Sequence, residues 1–126
     1  MFQTTVNTDP KRVQDMIIGA FEGGSTYWIH AANLVHPKYE DMPKTGVVWW
    51  GNDERNIFAE PDFKVEIIDN DDHETHILDM SAITRGLNVM ATQYGRHFSD
   101  MITENDDADT SDVFLQCCLF GEVVYG

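Results

Sequence analysis

The sequence predicts an α+β fold: a small antiparallel sheet of three or four strands, with one clear hairpin, packed against three helices in the order α-β-β-β-α-α. Three observations carry this. Val13, Met16, Ile17, Ala20 and Phe21 recur at the spacing of one helical face. Phe63, Val65 and Ile67 alternate with polar neighbours, as a half-buried strand does. The closing VFLQCCLFGEVVYG is apolar nearly all round, which marks a buried element. With 126 residues, 42% of them hydrophobic, the chain suits a single compact domain over 1–126 with a real core.

In chain order, Thr8 or Asp9 caps the first helix, and Pro10 fits its first turn, where no backbone donor is needed. The spacing predicts a helix over 10–22. Gly23 and Gly24 follow the last periodic residue, where a left-handed glycine ends a helix. STYWIHAANLV mixes aromatic and branched residues and reads as a strand. HPKYEDMPKTG, with two prolines and a glycine, is a loop. VVWWGNDERN offers a short second strand closed by a turn at Gly51 and Asn52. FKVEIIDNDDHETHILDM is the hairpin, with Thr75 and Ile77 answering on the return across a long acidic turn.

Asp79 or Ser81 caps the next helix. Its stripe is Ile83, Leu87, Met90, Ala91, Tyr94, Phe98, Met101 and Ile102. Gly86 and Gly95 interrupt it, and a kink or break is expected near Gly95. ENDDADTSD is an acidic turn in which Asp109 or Thr110 caps the last helix, and the segment ending at Gly126 is expected to dock on the domain.

Charge narrows the function classes. Twenty-two acidic against eight basic residues give a net charge of −14. Such a surface repels phosphate backbones, so direct nucleic-acid binding is not expected. It attracts basic protein surfaces, including the nucleic-acid-binding grooves of other proteins, and speeds association with them. Solubility alone is the other reading of the acidity. No apolar run approaches the roughly 18 residues of a membrane span, and MFQTTVNTDPKR lacks the layout of a signal peptide. A cytoplasmic protein without a membrane partner is expected.

Chemical machinery is sparse. Cys117 and Cys118 are adjacent in an apolar stretch, where they read as small core residues of a reducing compartment. DNDDHETH gathers His73 and His76 near four acids. It has neither the helical His spacing of a zinc protease nor the glycine and final glutamate of a calcium loop. On a hairpin tip the two histidines fall on opposite faces, so a solvated acidic turn is expected, with chance binding of a divalent ion no surprise. The fold is expected to hold without metal or cofactor. Ser25 lacks the flanks of a nucleophile elbow, and GGST lacks the lysine and spacing of a phosphate loop. The reading is that of a protein other than an enzyme.

Aromatics remain. Tyr27, Trp28, Tyr39, Trp49, Trp50 and Phe58 cluster in the first half, and such side chains serve as interface anchors or stack on small rings. Alternation along a strand predicts one buried and one exposed member in each of Tyr27-Trp28 and Trp49-Trp50. The candidate binding set is Glu22, Gly23, Gly24, Tyr27, Trp28, Trp49 and Trp50, with the acids Asp69, Asp71, Asp72, Glu74, Asp106, Asp107 and Asp109.

AFEGGSTYW and DADTSDVFLQCCLFGEVVYG together resemble a family of short proteins encoded by bacteriophages and prophages. Their text runs helix, EGG, aromatic pair, and closes on an acidic cap, an ADxxLQ-like helix and FGExVYG. The matching positions are Glu22, Gly23, Gly24, Tyr27 and Trp28, then Asp112, Leu115, Gln116, Phe120, Gly121, Glu122, Tyr125 and Gly126. Ser111 stands where alanine is expected. The family carries no assigned activity, so the resemblance implies a setting in the host bacterial cytoplasm and no mechanism. The expected function is a non-enzymatic phage accessory protein that inhibits a host defence protein, one that handles nucleic acid, by binding its basic surface. The alternative is a pocket protein that sequesters a small nucleotide-like signalling molecule. A homo-oligomer is compatible with either.

Overall fold

A computed structural model describes residues 7–126 and has the α+β class expected, with a three-stranded antiparallel sheet and four helices. Helix α1 (Pro10–Gly19) opens on Asp9, whose side chain accepts the Lys11 backbone N–H at 2.9 Å. Val13, Met16 and Ile17 form its buried face.

The helix does not stop at the glycines. It widens into a π turn over Ala20–Gly24, closed by the Ser25 N–H on the Ala20 carbonyl at 2.9 Å. Neither Gly23 nor Gly24 has the positive φ expected of a helix stop. Packing explains Gly24 instead. It faces helix α4 (Ala108–Phe120), where a Cβ would overlap the Ala108 carbonyl and lie 3.3 Å from the Asp112 nitrogen. Gly23 has open space around it.

Strands β1 (Ile29–His36), β2 (Lys64–Asp69) and β3 (Thr75–Asp79) form a meander in the order β1-β2-β3. Leu34, Val65 and Leu78 stand in one cross-strand row, and Ala32, Ile67 and His76 in the next. These rows face the core. Thr75 and Ile77, expected there, lie on the opposite face. The turn between β2 and β3 sets the register one residue away from that reading, and a one-residue slip exchanges every side chain between faces.

The second strand expected at VVWW is absent among the described residues. Trp49–Gly51 is a single 3-10 turn. Aromatic packing prevails over strand pairing: Phe21 meets the Trp49 and Trp50 rings edge-on at 6.1 and 5.5 Å, and the two indoles meet each other at 5.3 Å. One member of each pair is indeed more buried, Trp28 and Trp49, yet both pairs lie in turns and not in strands.

Helix α2 (Met80–Gln93) starts from Asp79, whose side chain accepts the Ala82 N–H at 2.9 Å. The expected break falls at Tyr94, and α3 (Gly95–Ile102) follows. The cap of helix α4 is Asp107, not Asp109 or Thr110 as expected. Asp107 accepts the Thr110 N–H at 3.0 Å and so satisfies the N-terminal donors. Gly121, at φ 73°, ends it in the left-handed region. Helix α4 touches α1, α2, α3, β3 and the π turn, which is why it is buried on nearly every side.

Gly24→Ala is expected to lower stability by roughly 1–3 kcal/mol through overpacking against backbone. Gly23→Ala, in open space on a helical turn, should melt no lower than the parent. Thermal melts of the two variants compare them directly, and equal melting would refute the close-approach role of Gly24.

Candidate functional site

The AFEGGSTYW and DADTSDVFLQCCLFGEVVYG segments meet in one place. Helix α4 presents Asp112 and Gln116 on one face, one turn apart. Asp112 is 8% exposed. Its Oδ1 accepts from the Ser25 hydroxyl and the Trp28 indole N–H, both at 2.8 Å, and its Oδ2 accepts from the Tyr27 hydroxyl at 2.7 Å. Three convergent donors call for a group that accepts through two oxygens, and a carboxylate is that group.

Gln116 does the same for the closing segment. Its Oε1 accepts the backbone N–H groups of Val124 and Tyr125 at 2.7 and 2.8 Å, and its Nε2 donates to the Tyr125 carbonyl at 3.1 Å. Tyr125 then stacks on Trp28 at 5.2 Å with an 11° interplanar angle. The closing segment is therefore docked, as expected. The hydroxyl of Ser25 lies wholly inside this network, engaged with Asp112.

Tyr27 is both exposed and anchored. Its side chain is 53% exposed, whereas its hydroxyl is tied to Asp112. Burial of that end, then the hydrogen bond to Asp112, push its pKa up to about 12. Burial also raises the Cys117 thiol to about 11 and the Cys118 thiol well above its usual range, so both stay protonated.

Several expected contact residues have structural partners. Glu22 accepts the Trp50 indole N–H at 2.7 Å. Asp106 pairs with Arg12, and Asp107 caps α4. Asp69 is 2% exposed, bonded to His76 Nε2 at 2.8 Å and to the Asp72 N–H at 3.0 Å. The His76 bond, first among the causes, lowers its pKa to about 2. Asp71, Asp72, Glu74 and Asp109 are exposed.

Four of the eight cations are also engaged. Arg12 pairs with Asp15 at 3.0 Å, Lys11 with Asp53 at 3.1 Å, and Arg55 with Glu60 at 2.8 Å, while Arg85 donates to the Cys118 carbonyl. These contacts leave the remaining surface charge strongly negative.

Sequence reasoning named Tyr39 and Trp49 among the contact aromatics but missed Lys44, Val47 and Val48 beside them, in a segment read as a loop and a short strand. Tyr39 is 65% exposed, and Val47 and Val48 are also exposed. They line an open cavity of about 390 Å³ together with Lys44, Asn52 and Trp49. No carboxylate lines it. The one available signal was two adjacent valines after Gly46, which is at φ 80° and bends the chain outward.

No known family model matches the chain, and no curated protein or solved structure matches it significantly. No described helix is long and apolar enough to cross a membrane.

Asp112→Asn places an amide N–H where a donor already points. It is expected to destabilise by roughly 1–3 kcal/mol and to bring the Tyr27 ionisation down from about 12 towards the ordinary tyrosine value of about 10. Ultraviolet pH titration, with Tyr27→Phe assigning the transition, measures this. An unmoved transition would show that Asp112 does not hold the phenol.

Proposed function

We propose that the chain is a non-enzymatic bacteriophage accessory protein that inhibits a host protein by covering its basic, nucleic-acid-handling surface. The observation that carries this reading is the exposed apolar group Tyr39, Val47 and Val48 on a chain of net charge −14. Clustered exposed apolar side chains rimmed by charge mark protein-binding surfaces. Acidic surroundings steer a basic partner onto them. The buried polar side chains support the same reading. Asp112, Ser25 and Gln116 direct their hydrogen bonds at one another's segments and build the fold. The phage setting rests on the resemblance of the EGG and FGExVYG segments.

One observation favours a second reading. The cavity beside Tyr39 and Trp49 carries Lys44 and no carboxylate, a lining that tolerates an anionic ring compound such as a nucleotide. None of the four arginines lines it. Quenching of tryptophan emission by nucleotides, abolished by Lys44→Ala, distinguishes this reading from protein binding.

Capture from host lysate supplies the partner, and two variants then test the surface. Neutralising the exposed acids Asp71, Glu104, Asp109 and Glu122 to Asn or Gln removes four charges. This should slow association and flatten its salt dependence without changing the melt. Tyr39→Ala with Val47→Ser should raise the dissociation rate, by 1 kcal/mol or more in affinity for roughly a hot-spot contact. A partner bound equally well at low and high salt overturns electrostatic steering.

A further inference from the structure

The hairpin turn holds a donor set that the binding surface does not use. Asp69 ends β2, Glu74 closes the turn and His76 lies in β3. One carboxylate oxygen of each acid and one imidazole nitrogen lie within 4.8 Å of one another. Sequence spacing alone treats these residues as a solvated turn. The hairpin register is what gathers them, while His73 departs to stack on His30 at 4.5 Å.

Two of the three donors are held in place. Asp69 is buried, with Oδ1 fixed by the Asp72 N–H at 3.0 Å and Oδ2 facing His76 Nε2 at 2.8 Å. The imidazole of His76 stands edge-on to Phe120 at 4.9 Å, and its strand position is fixed by pairing with Ile67. Glu74 is the adjustable member. Its backbone is tied down, the carbonyl accepting the Asp69 N–H at 3.1 Å and the N–H donating to Asp72 Oδ1 at 3.2 Å. Its carboxylate is exposed and has no hydrogen-bond or ion-pair partner among the described residues.

Electrostatics gives the second reason. An exposed glutamate is free to turn into water, yet this one lies beside the buried Asp69 carboxylate, with Asp71 and Asp72 in the same turn. Like charges at that spacing repel, and a divalent cation between them reverses the sign. Ligand atoms on a metal with bonds of about 2.0–2.2 Å sit roughly 3–3.5 Å apart. A small movement of the Glu74 side chain meets this requirement.

We infer that Asp69, Glu74 and His76 form a divalent-metal site with one nitrogen and two oxygen ligands, open to water at its remaining positions. The imidazole and the low ligand number favour Zn²⁺ over Mg²⁺, which prefers an all-oxygen octahedron. The site lies on a surface turn, so the chain folds without the ion and gains stability when it binds.

Calorimetric titration of the metal-free protein with Zn²⁺ and with Mg²⁺ tests this. One Zn²⁺ per chain is expected, bound more tightly than Mg²⁺, with a raised melting temperature that chelator returns to the metal-free value. Glu74→Gln alters an exposed residue and should weaken Zn²⁺ at least about tenfold, as should His76→Gln. The double variant His30→Gln, His73→Gln should bind as the parent does. Unchanged Zn²⁺ affinity in Glu74→Gln overturns the assignment, even if His76→Gln fails to fold. Loss of binding in the His30/His73 variant, or equal affinity for Mg²⁺, overturns it as well.

Discussion

The buried carboxylate of Asp112 is the interaction on which the rest of the structure depends. It sits on the most enclosed helix and takes hydrogen bonds from three residues of one turn, Ser25, Tyr27 and Trp28. Placing a carboxylate inside a domain is costly unless its lone pairs are met. Here the donors come from the turn that links α1 to the sheet. The requirement therefore runs both ways: α4 needs that turn against it, and the turn can lie there only because Gly24 lets backbone approach backbone. Gln116, a helical turn further on, binds the closing segment to the same face. A helix, the start of the sheet and the tail are thus fixed through two polar side chains.

This changes the meaning of the residues that look most like ligand machinery. A glutamate, two glycines, a serine and an aromatic pair have the composition of a binding loop. In the fold, Glu22 holds the Trp50 indole, Gly24 permits close packing, and Ser25 and Trp28 satisfy Asp112. The side chains that solvent reaches lie outside this network: Tyr27 in part, the acids of the hairpin tip, and the Tyr39 to Val48 loop.

Local periodicity made much of the architecture legible. The α1 face, the hairpin, the break before Gly95 and the enclosure of α4 each follow from residues close in sequence. What escaped depends on distant partners. VVWW has strand composition, yet Phe21, nearly thirty residues earlier in the sequence, captures both indoles. The paired glycines match a helix stop, yet neither has a positive φ and α4 decides the role of Gly24. At the candidate site, a division of the Tyr27-Trp28 pair into one buried and one exposed member was expected, while which residue is exposed and the hydroxyl's tie to Asp112 were not legible. The acids of 104–112 looked interchangeable. Burial, pairing with Arg12 and capping divide Asp112, Asp106 and Asp107 among three unlike tasks.

Gly24, Trp28, Asp112, Gln116 and Tyr125 each make an internal contact. That network builds a fold, whatever the fold is used for. Tyr39, Lys44, Val47 and Val48 lie outside it and can change without disturbing a buried hydrogen bond. The physical constraint on the core and the freedom of the loop are two sides of one arrangement. The polar groups that would be expensive to leave unpaired are all turned inward, so the outer surface is free to vary.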